Sequence, residues 1–294
     1  MRILVTGASG FIGKHIVDYL LKNTQAEIIC SSPSQLDAEP TPWYGKVSKY
    51  IPFDILSLNN DKEINLMEYF NHPDVLIYLT WLGLPNYFSD VHIEKNLVYG
   101  NLFLSNFINN GLKNILVTGT CLEYGMKEGE LFEDDKCEPF TTYGIAKYAQ
   151  YLYLKNIAEK NKVNYKWARL FYMYGEGQNP KSLYPQLIQT IESGETEFRM
   201  SKGDQQRDFL HINMVAEYLC KLALTDNHKG IFNCSSGNPM SVVDFVNKIL
   251  KEKNASLKLE TGYYDYPDYE PFSFWGNNTK LMNALKNYNH NAIQ

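Results

Sequence analysis

The stretch MRILVTGASGFIG at residues 1–13 decides the fold. Ile3, Leu4 and Val5 form a short apolar run of the kind that makes a buried strand, and Ile12, Ile16 and Leu20 recur at helical spacing just beyond it. Between the two lie Gly7, Gly10 and Gly13. A strand, a glycine turn and a helix in that order suit a dinucleotide pyrophosphate. Glycine lets the backbone turn sharply and approach the phosphates, and the N–H groups of the first helical turn point at the negative charge. Three glycines alone are a weak signal; their place between a strand and a helix makes them specific. Gly7, Ser9, Gly10, Phe11, Ile12 and Gly13 are therefore the candidate cofactor contacts of this loop.

Outward from this unit, short apolar runs alternate with longer helical patterns. Glu27–Cys30, Val75–Leu79, Ile115–Thr118 and Lys166–Phe171 read as further strands, which predicts a parallel sheet joined by crossover helices. One helix carries Ala146, Ala149, Leu152 and Tyr153, expected to cover a sheet face. After Phe171 the pattern loosens into YMYGEGQNPKSLYPQ, with a helix expected from near Ser182 to Glu192. RDFLHINMVAEYLCKLAL then reads as a short strand and a helix, and Ser241 with Asp244 resembles a capping box opening VVDFVNKIL. The expected fold class is α/β, a Rossmann-type doubly wound parallel sheet with a smaller C-terminal α/β substrate-binding lobe. Residues 1–170, with about 206–235, are assigned to the dinucleotide-binding domain, and residues 171–205 and 236–294 to the second lobe.

Bulk composition narrows the partners. With 294 residues and 44% apolar content the chain can bury a large core. A net charge of −5, with acids and bases interspersed, gives no electrostatic footprint for nucleic acid or an acidic membrane. The apolar start has no basic run ahead of it and is soon broken by glycine, so neither a signal peptide nor a membrane anchor is expected. Cys30, Cys121, Cys137, Cys220 and Cys234 form no CxxC pair, so no metal site is expected and a reducing, cytoplasmic setting fits.

In a βαβ unit the residue ending the second strand selects the cofactor, because an acid there accepts from the adenosine ribose and repels a 2′-phosphate. Here that strand ends in Ser31 and Ser32, and the next acid is Asp37. Small hydroxyls can donate to a phosphate, so NADP(H) is expected in preference to NAD(H), although no Arg or Lys stands nearby. Asp54 and Ile55 are candidates to reach the adenine edge, and Leu79 is a further candidate contact.

The chemistry is expected from ILVTGTCLEYG at 115–125 and FTTYGIAKYAQ at 140–150. Thr120 leaves a strand with a hydroxyl, and Tyr143 and Lys147, four apart, share one face of a helix. A phenol with a pKa near ~10 is a poor acid at neutrality, and an adjacent ammonium would lower that value. Thr120, Tyr143 and Lys147 are the candidate catalytic residues, the last two also touching the cofactor. A lone YxxxK occurs often by chance; its order behind a glycine loop and a TGT strand end gives it weight.

These motifs resemble the extended short-chain dehydrogenase/reductase family, which uses the wider GxxGxxG spacing and includes nucleotide-sugar epimerases, dehydratases and 4-ketosugar reductases. The resemblance runs from Met1 to about Gly276 through TGASGFIG, Asp54-Ile55, Asn96, TGTCLEYG, YGIAK, ARLFYMYG and QQRDFLHI. It implies a nucleotide-sugar substrate, with Tyr143 as acid, Lys147 as the ribose-binding base and Arg207 on the substrate diphosphate or nucleotide. Tyr172 departs from the family, where many relatives carry Asn.

Within that family, 4,6-dehydratases follow the catalytic Thr with Asp-Glu, whereas Cys121 and Leu122 stand here, so elimination lacks its acid and base. Epimerases at C3 or C5 carry a Cys one place further on, which makes Cys121 a packed neighbour of the site rather than a base. LTWLGLPNY, GTCLEYG and YPDYEPFSFWG further resemble the 4-keto-6-deoxyhexose reductases of surface-polysaccharide precursor synthesis. Trp81, Leu82, Glu123 and Tyr172 are the candidates to line a sugar pocket. The alternatives are a 4-epimerase with retained NAD and a catalytically inactive dinucleotide sensor. Such enzymes commonly dimerise through two helices, which implies a homodimer through Val98–Ile108 and Tyr143–Lys160, with Leu102, Phe103, Phe107, Tyr151 and Leu154 as the apolar surface.

Overall fold

The computed structural model describes residues 1–33, 43, 45–59 and 64–286; Asp37 lies outside them. In chain order its elements begin with β1 (Arg2–Thr6), α1 (Phe11–Asn23), β2 (Glu27–Ser31), β3 (Lys49–Tyr50), α2 (Leu66–Tyr69), β4 (Val75–Tyr78), α3 (Val98–Asn109) and β5 (Asn114–Thr120). Next come β6 (Gly129–Leu131), α4 (Thr142–Lys160), β7 (Asn164–Leu170), β8 (Tyr172–Tyr174), α5 (Leu183–Glu192), β9 (Glu197–Arg199), β10 (Gln206–Arg207) and β11 (Phe209–His211). The chain continues through α6 (Ile212–Ala223), β12 (Gly230–Cys234), β13 (Met240–Ser241), α7 (Val242–Glu252), β14 (Lys258–Glu260), β15 (Phe274–Gly276) and α8 (Thr279–Lys286).

Seven strands form one sheet in the order β12-β7-β5-β4-β1-β2-β3, and every neighbouring pair is parallel. Alternation along β1 shows why helices cover both faces. Ile3 and Val5 pack with Ile16 and Leu20 of α1 and with Val215 and Leu219 of α6, whereas Leu4 packs with Phe103 and Phe107 of α3 and Leu154 of α4. This is the doubly wound α/β arrangement expected from the sequence. The five expected strands are all present, and β3 and β12 extend the sheet at its two edges.

Beyond the sheet, a separate apolar cluster joins Leu187 of α5, Phe198, Met200 and the Phe245, Val246 and Ile249 stripe of α7. Small two-stranded ladders link this part to the sheet: β8 pairs with β11, and β6 with β15. The strand expected in RDFLHI is therefore β11, outside the main sheet. Ser241 caps α7 by accepting from the Asp244 amide at 3.0 Å, but its hydroxyl donates to the Asp244 carboxylate at 2.6 Å, so only half of the expected capping box forms.

The buried face of α4 differs from expectation. Tyr143, Ala146, Lys147, Gln150, Tyr151, Leu154 and Ala158 are buried, whereas Leu152 is 47% exposed. The helix turns a partly polar stripe inward because Tyr143 and Lys147 reach the site, and an apolar pattern alone misplaces that stripe. Leu154→Ala is expected to cost about 2–5 kcal/mol of unfolding free energy in urea, and Leu152→Ala less than about 1 kcal/mol. The reverse ranking would show that the face has been assigned wrongly.

Candidate active site

The turn between β1 and α1 fits a dinucleotide. A Cβ on Gly13 would come within 2.2 Å of the Gly7 carbonyl oxygen, so the helix lies against the turn with no room for a side chain. Gly10 caps α1 without a side-chain bond and the first turn has no acid, which leaves this helix end suited to an anion. Ile12 and Leu79 face the neighbouring cavity, and Phe11 lies edge-on to His15 at 5.8 Å.

Other expected cofactor contacts are engaged elsewhere. Ser31 and Ser32 are buried, and the Ser32 hydroxyl accepts from the Ser9 amide at 3.0 Å while donating to the Ser31 carbonyl at 2.9 Å. That hydroxyl thereby braces the glycine turn from the end of β2. Asp54 accepts from the Leu56 amide at 3.0 Å and opens a short 3-10 turn, and Ile55 is buried in the core.

At the C-terminal edge of the sheet, a cavity of about 230 Å³ gathers Ile12, Leu79, Trp81, Thr120, Tyr143 and Lys147. Tyr143 enters it because Thr141 caps α4 through the Gly144 amide at 3.0 Å, and the Tyr143 amide itself donates to the Tyr87 carbonyl at 2.9 Å. Thr120 and Tyr143 both line this cavity, and the Thr120 hydroxyl favours the ionised form of the phenol. Lys147 donates to the Thr118 carbonyl at 2.8 Å and lies 3.9 Å from the centre of the Trp81 ring. A second cavity of about 340 Å³, lined by Arg207, Tyr184, Gln205 and Phe209, shares Tyr87, Tyr172, Gln178 and Glu270 with the first.

A family model described as the NAD dependent epimerase/dehydratase family matches residues 3–235. The chain belongs to that family. It is 26% identical over 281 residues to the dTDP-6-deoxy-L-talose 4-dehydrogenase (NAD(+)) of Aggregatibacter actinomycetemcomitans, covering 94% of this chain and 99% of the relative. It is also 26% identical to the dTDP-4-dehydro-6-deoxyglucose reductase of Escherichia coli, covering 90% and 84%. The crystal structure of the Bacillus cereus UDP-glucuronic acid 4-epimerase, in complex with UDP-glucuronic acid and NAD, shares the fold. It matches with a TM-score of 0.81 at 23% identity, over 98% of this chain and 94% of that one.

In this member of the epimerase/dehydratase family the electrostatics of the trio differ from expectation. Burial raises the Tyr143 phenol well above its usual range, with Tyr87, Glu123 and Cys121 adding to the effect and the Thr120 hydroxyl opposing it. The Lys147 amine donates to the Thr118 carbonyl rather than to the phenol. Burial lowers Lys147 itself to about 7, against the field of Glu123. Burial also pushes the Cys121 thiol up to about 12, so it sits protonated on the cavity wall, a neighbour rather than a base.

The structure separates the substrate candidates. Glu123 is fully buried and paired with Arg169 at 2.8 Å, so it does not line the cavity. Arg207 is buried against the Phe272 carbonyl at 2.8 Å and Glu270 at 3.2 Å, beside the ring of Tyr172. Trp81 and Tyr172 do line the cavity. Burial raises the Tyr172 phenol, and Glu270 raises it further.

His92 went unnoticed in the sequence. It is buried and accepts from the Trp81 indole at Nδ1 (3.1 Å), so its Nε2 carries the hydrogen given to the Asn86 carbonyl at 2.7 Å. Asn96, a motif residue, clasps both backbone groups of Leu82 at 2.9 Å, and so steadies the chain beside Trp81. His92 and Asn96 both lie in the π-helical turn His92–Leu97, a geometry no side-chain pattern announces.

Because the value for Lys147 falls from 10.5 unfolded to about 7 folded, the stability linked to it is present above 10.5 and is lost as the pH falls toward 7. Lys147→Met has no such proton. Without cofactor it is expected to melt above the parent protein at about pH 6.5, with an advantage that shrinks through the alkaline range. Melting curves across that range check this; an advantage independent of pH would reject the assignment.

Proposed function

We propose that the protein transfers hydride at C4 of a nucleotide-linked 4-keto-6-deoxysugar, working as a 4-ketoreductase. The observation that carries this reading is the acid-base content of the cavity. Among the described residues that line it, the only carboxylate is Glu270, which is committed to Arg207, and Cys121 holds its proton. Dehydration would need an acid and a base where Cys121 and Leu122 stand. Thr120, Tyr143 and Lys147 together supply what carbonyl reduction or its reverse requires.

Hydride chemistry comes from the nicotinamide of a dinucleotide held on the Gly7, Gly10 and Gly13 turn. Thr120 and Tyr143 hydrogen bond the C4 oxygen, and Tyr143 delivers a proton to it as the alkoxide forms. Its raised pKa keeps that proton in place at neutral pH. Lys147 lies four residues along the same helix face, where it can hold the ribose. We read the cofactor as NAD(H), because the family is described as NAD dependent. The A. actinomycetemcomitans and E. coli relatives are both named for C4 of a dTDP-linked 6-deoxysugar, which supports the substrate class. Arg207 would take the diphosphate once released from Glu270.

A 4-epimerase would need the same three side chains, and stoichiometry separates the two. Incubation with a panel of dTDP-, GDP-, UDP- and CDP-linked 4-ketosugars should consume reduced cofactor one for one with product. Interconversion of C4 epimers without net consumption would point to the epimerase. Tyr143→Phe is expected to lower turnover by about 10²-fold or more in the same assay; near-normal turnover would sink the role given to Tyr143.

We also propose a homodimer through α3 and α4. Phe103, Phe107, Tyr151 and Leu154 turn out to be core, so the surface on offer is Val98, Leu102, Ile145 and Leu152, each more than 40% exposed. Light scattering should give a dimer mass, and Leu102→Glu with Leu152→Glu a monomer. A monomer in the parent protein would reject the dimer.

A further inference from the structure

Glu123 is enclosed from every side. Its side chain is 0% exposed and that of Arg169 1%. Oε1 accepts from the Thr120 amide and from the Trp167 indole, both at 2.9 Å. Oε2 accepts from Arg169 Nε at 2.8 Å and from the same indole at 3.1 Å. Arg169 is itself used up: it donates to the Glu133 carbonyl at 3.3 Å and to the Cys137 sulfur at 2.9 Å, and its guanidinium lies 4.3 Å from the Tyr124 ring centre. All four acceptor positions of Glu123 are taken, and neither side chain lines the cavity.

The sheet makes room for this arrangement. Parallel pairing sets Val117 opposite Trp167 and Gly119 opposite Arg169, on one face. A Cβ on Gly119 would lie 2.2 Å from the Trp167 indole nitrogen and 2.4 Å from Glu123 Oε1. The strand is bare at the one place where the carboxylate folds back. One residue later β5 breaks into the 3-10 turn Cys121–Tyr124, where the Thr120 amide finds its partner in Glu123 as half of a capping box.

We propose that Glu123 is a positioning residue for the reaction: it fixes the main chain of Thr120, so that the hydroxyl stays on the cavity wall it shares with Tyr143, and locks the end of β5 to β7. The inference rests on Thr120 and Tyr143 holding the reacting oxygen, as proposed above. Glu123 touches neither substrate nor cofactor and acts only through Thr120.

The test compares variants in two backgrounds, parent and Thr120→Val, using the 4-ketosugar assay. Trp167→Phe removes one donor from Glu123 and leaves the ion pair whole. In the parent it should lower kcat about 5-fold or more with KM within about 2-fold, and in Thr120→Val the effect should nearly vanish. An equal loss in both backgrounds, or an unchanged kcat, overturns the proposal. Glu123→Gln should act more strongly in the same pattern and speed hydrogen exchange at the Thr120 amide, a readout independent of turnover; unaltered exchange would also overturn it. Should Glu123→Gln fail to fold because Arg169 is left unpaired, the Trp167→Phe comparison decides alone. Failure of the parent reading is seen separately, as full activity in Tyr143→Phe.

Discussion

Seven consecutive residue pairs, Asn114–Thr120 against Asn164–Leu170, join β5 to β7 in parallel, and the reactive edge depends on that register. It places Thr120 level with Leu170, so that one strand ends in the hydroxyl and the other in the far wall of the cavity. It also sets Trp167 and Arg169 beneath Glu123. A shift of one residue would turn these side chains to the opposite face, exposing a buried charge to the apolar layer around Leu116. The ion pair and the strand register therefore specify each other.

Local signals carried much of the architecture. The glycine turn, the strands around it and the Tyr143–Lys147 spacing depend on neighbours within a few residues, and each is visible as a pattern. Glu123, by contrast, was mistaken for a pocket residue because its partners Trp167 and Arg169 stand far along the chain and only the sheet brings them close. Arg207 was legible as a site residue, but its pairing with Glu270 was not. That the Ser32 hydroxyl would accept from the Ser9 amide was likewise hidden, because the two stand on different elements. The stripe of α4 was misjudged for a different reason: it buries a tyrosine, a lysine and a glutamine, which a search for apolar periodicity counts as outward-facing.

Lys147 and Tyr143 sit in an unusual balance. Both are buried, and burial disfavours the charged form of each, raising the phenol and lowering the amine. The two groups thus tend toward neutrality together, against the simple picture of an ammonium driving a phenol to ionise. The Trp81 face and the Thr118 carbonyl stabilise what positive charge remains. The phenol is left as a well-supplied proton donor.

The reactive trio belongs to just two elements, the end of β5 and the first turns of α4, both tied into the sheet. The opposite walls come from the segment after β4, around Trp81, Leu84 and Tyr87, and from the chain near Glu270 ahead of β15. Leu84 and Phe272 in these segments are nearly half exposed. Heritable change can accumulate in those two loops without disturbing the bond-making groups, so descendants of such a scaffold can trade one sugar for another while inheriting the same chemistry unaltered.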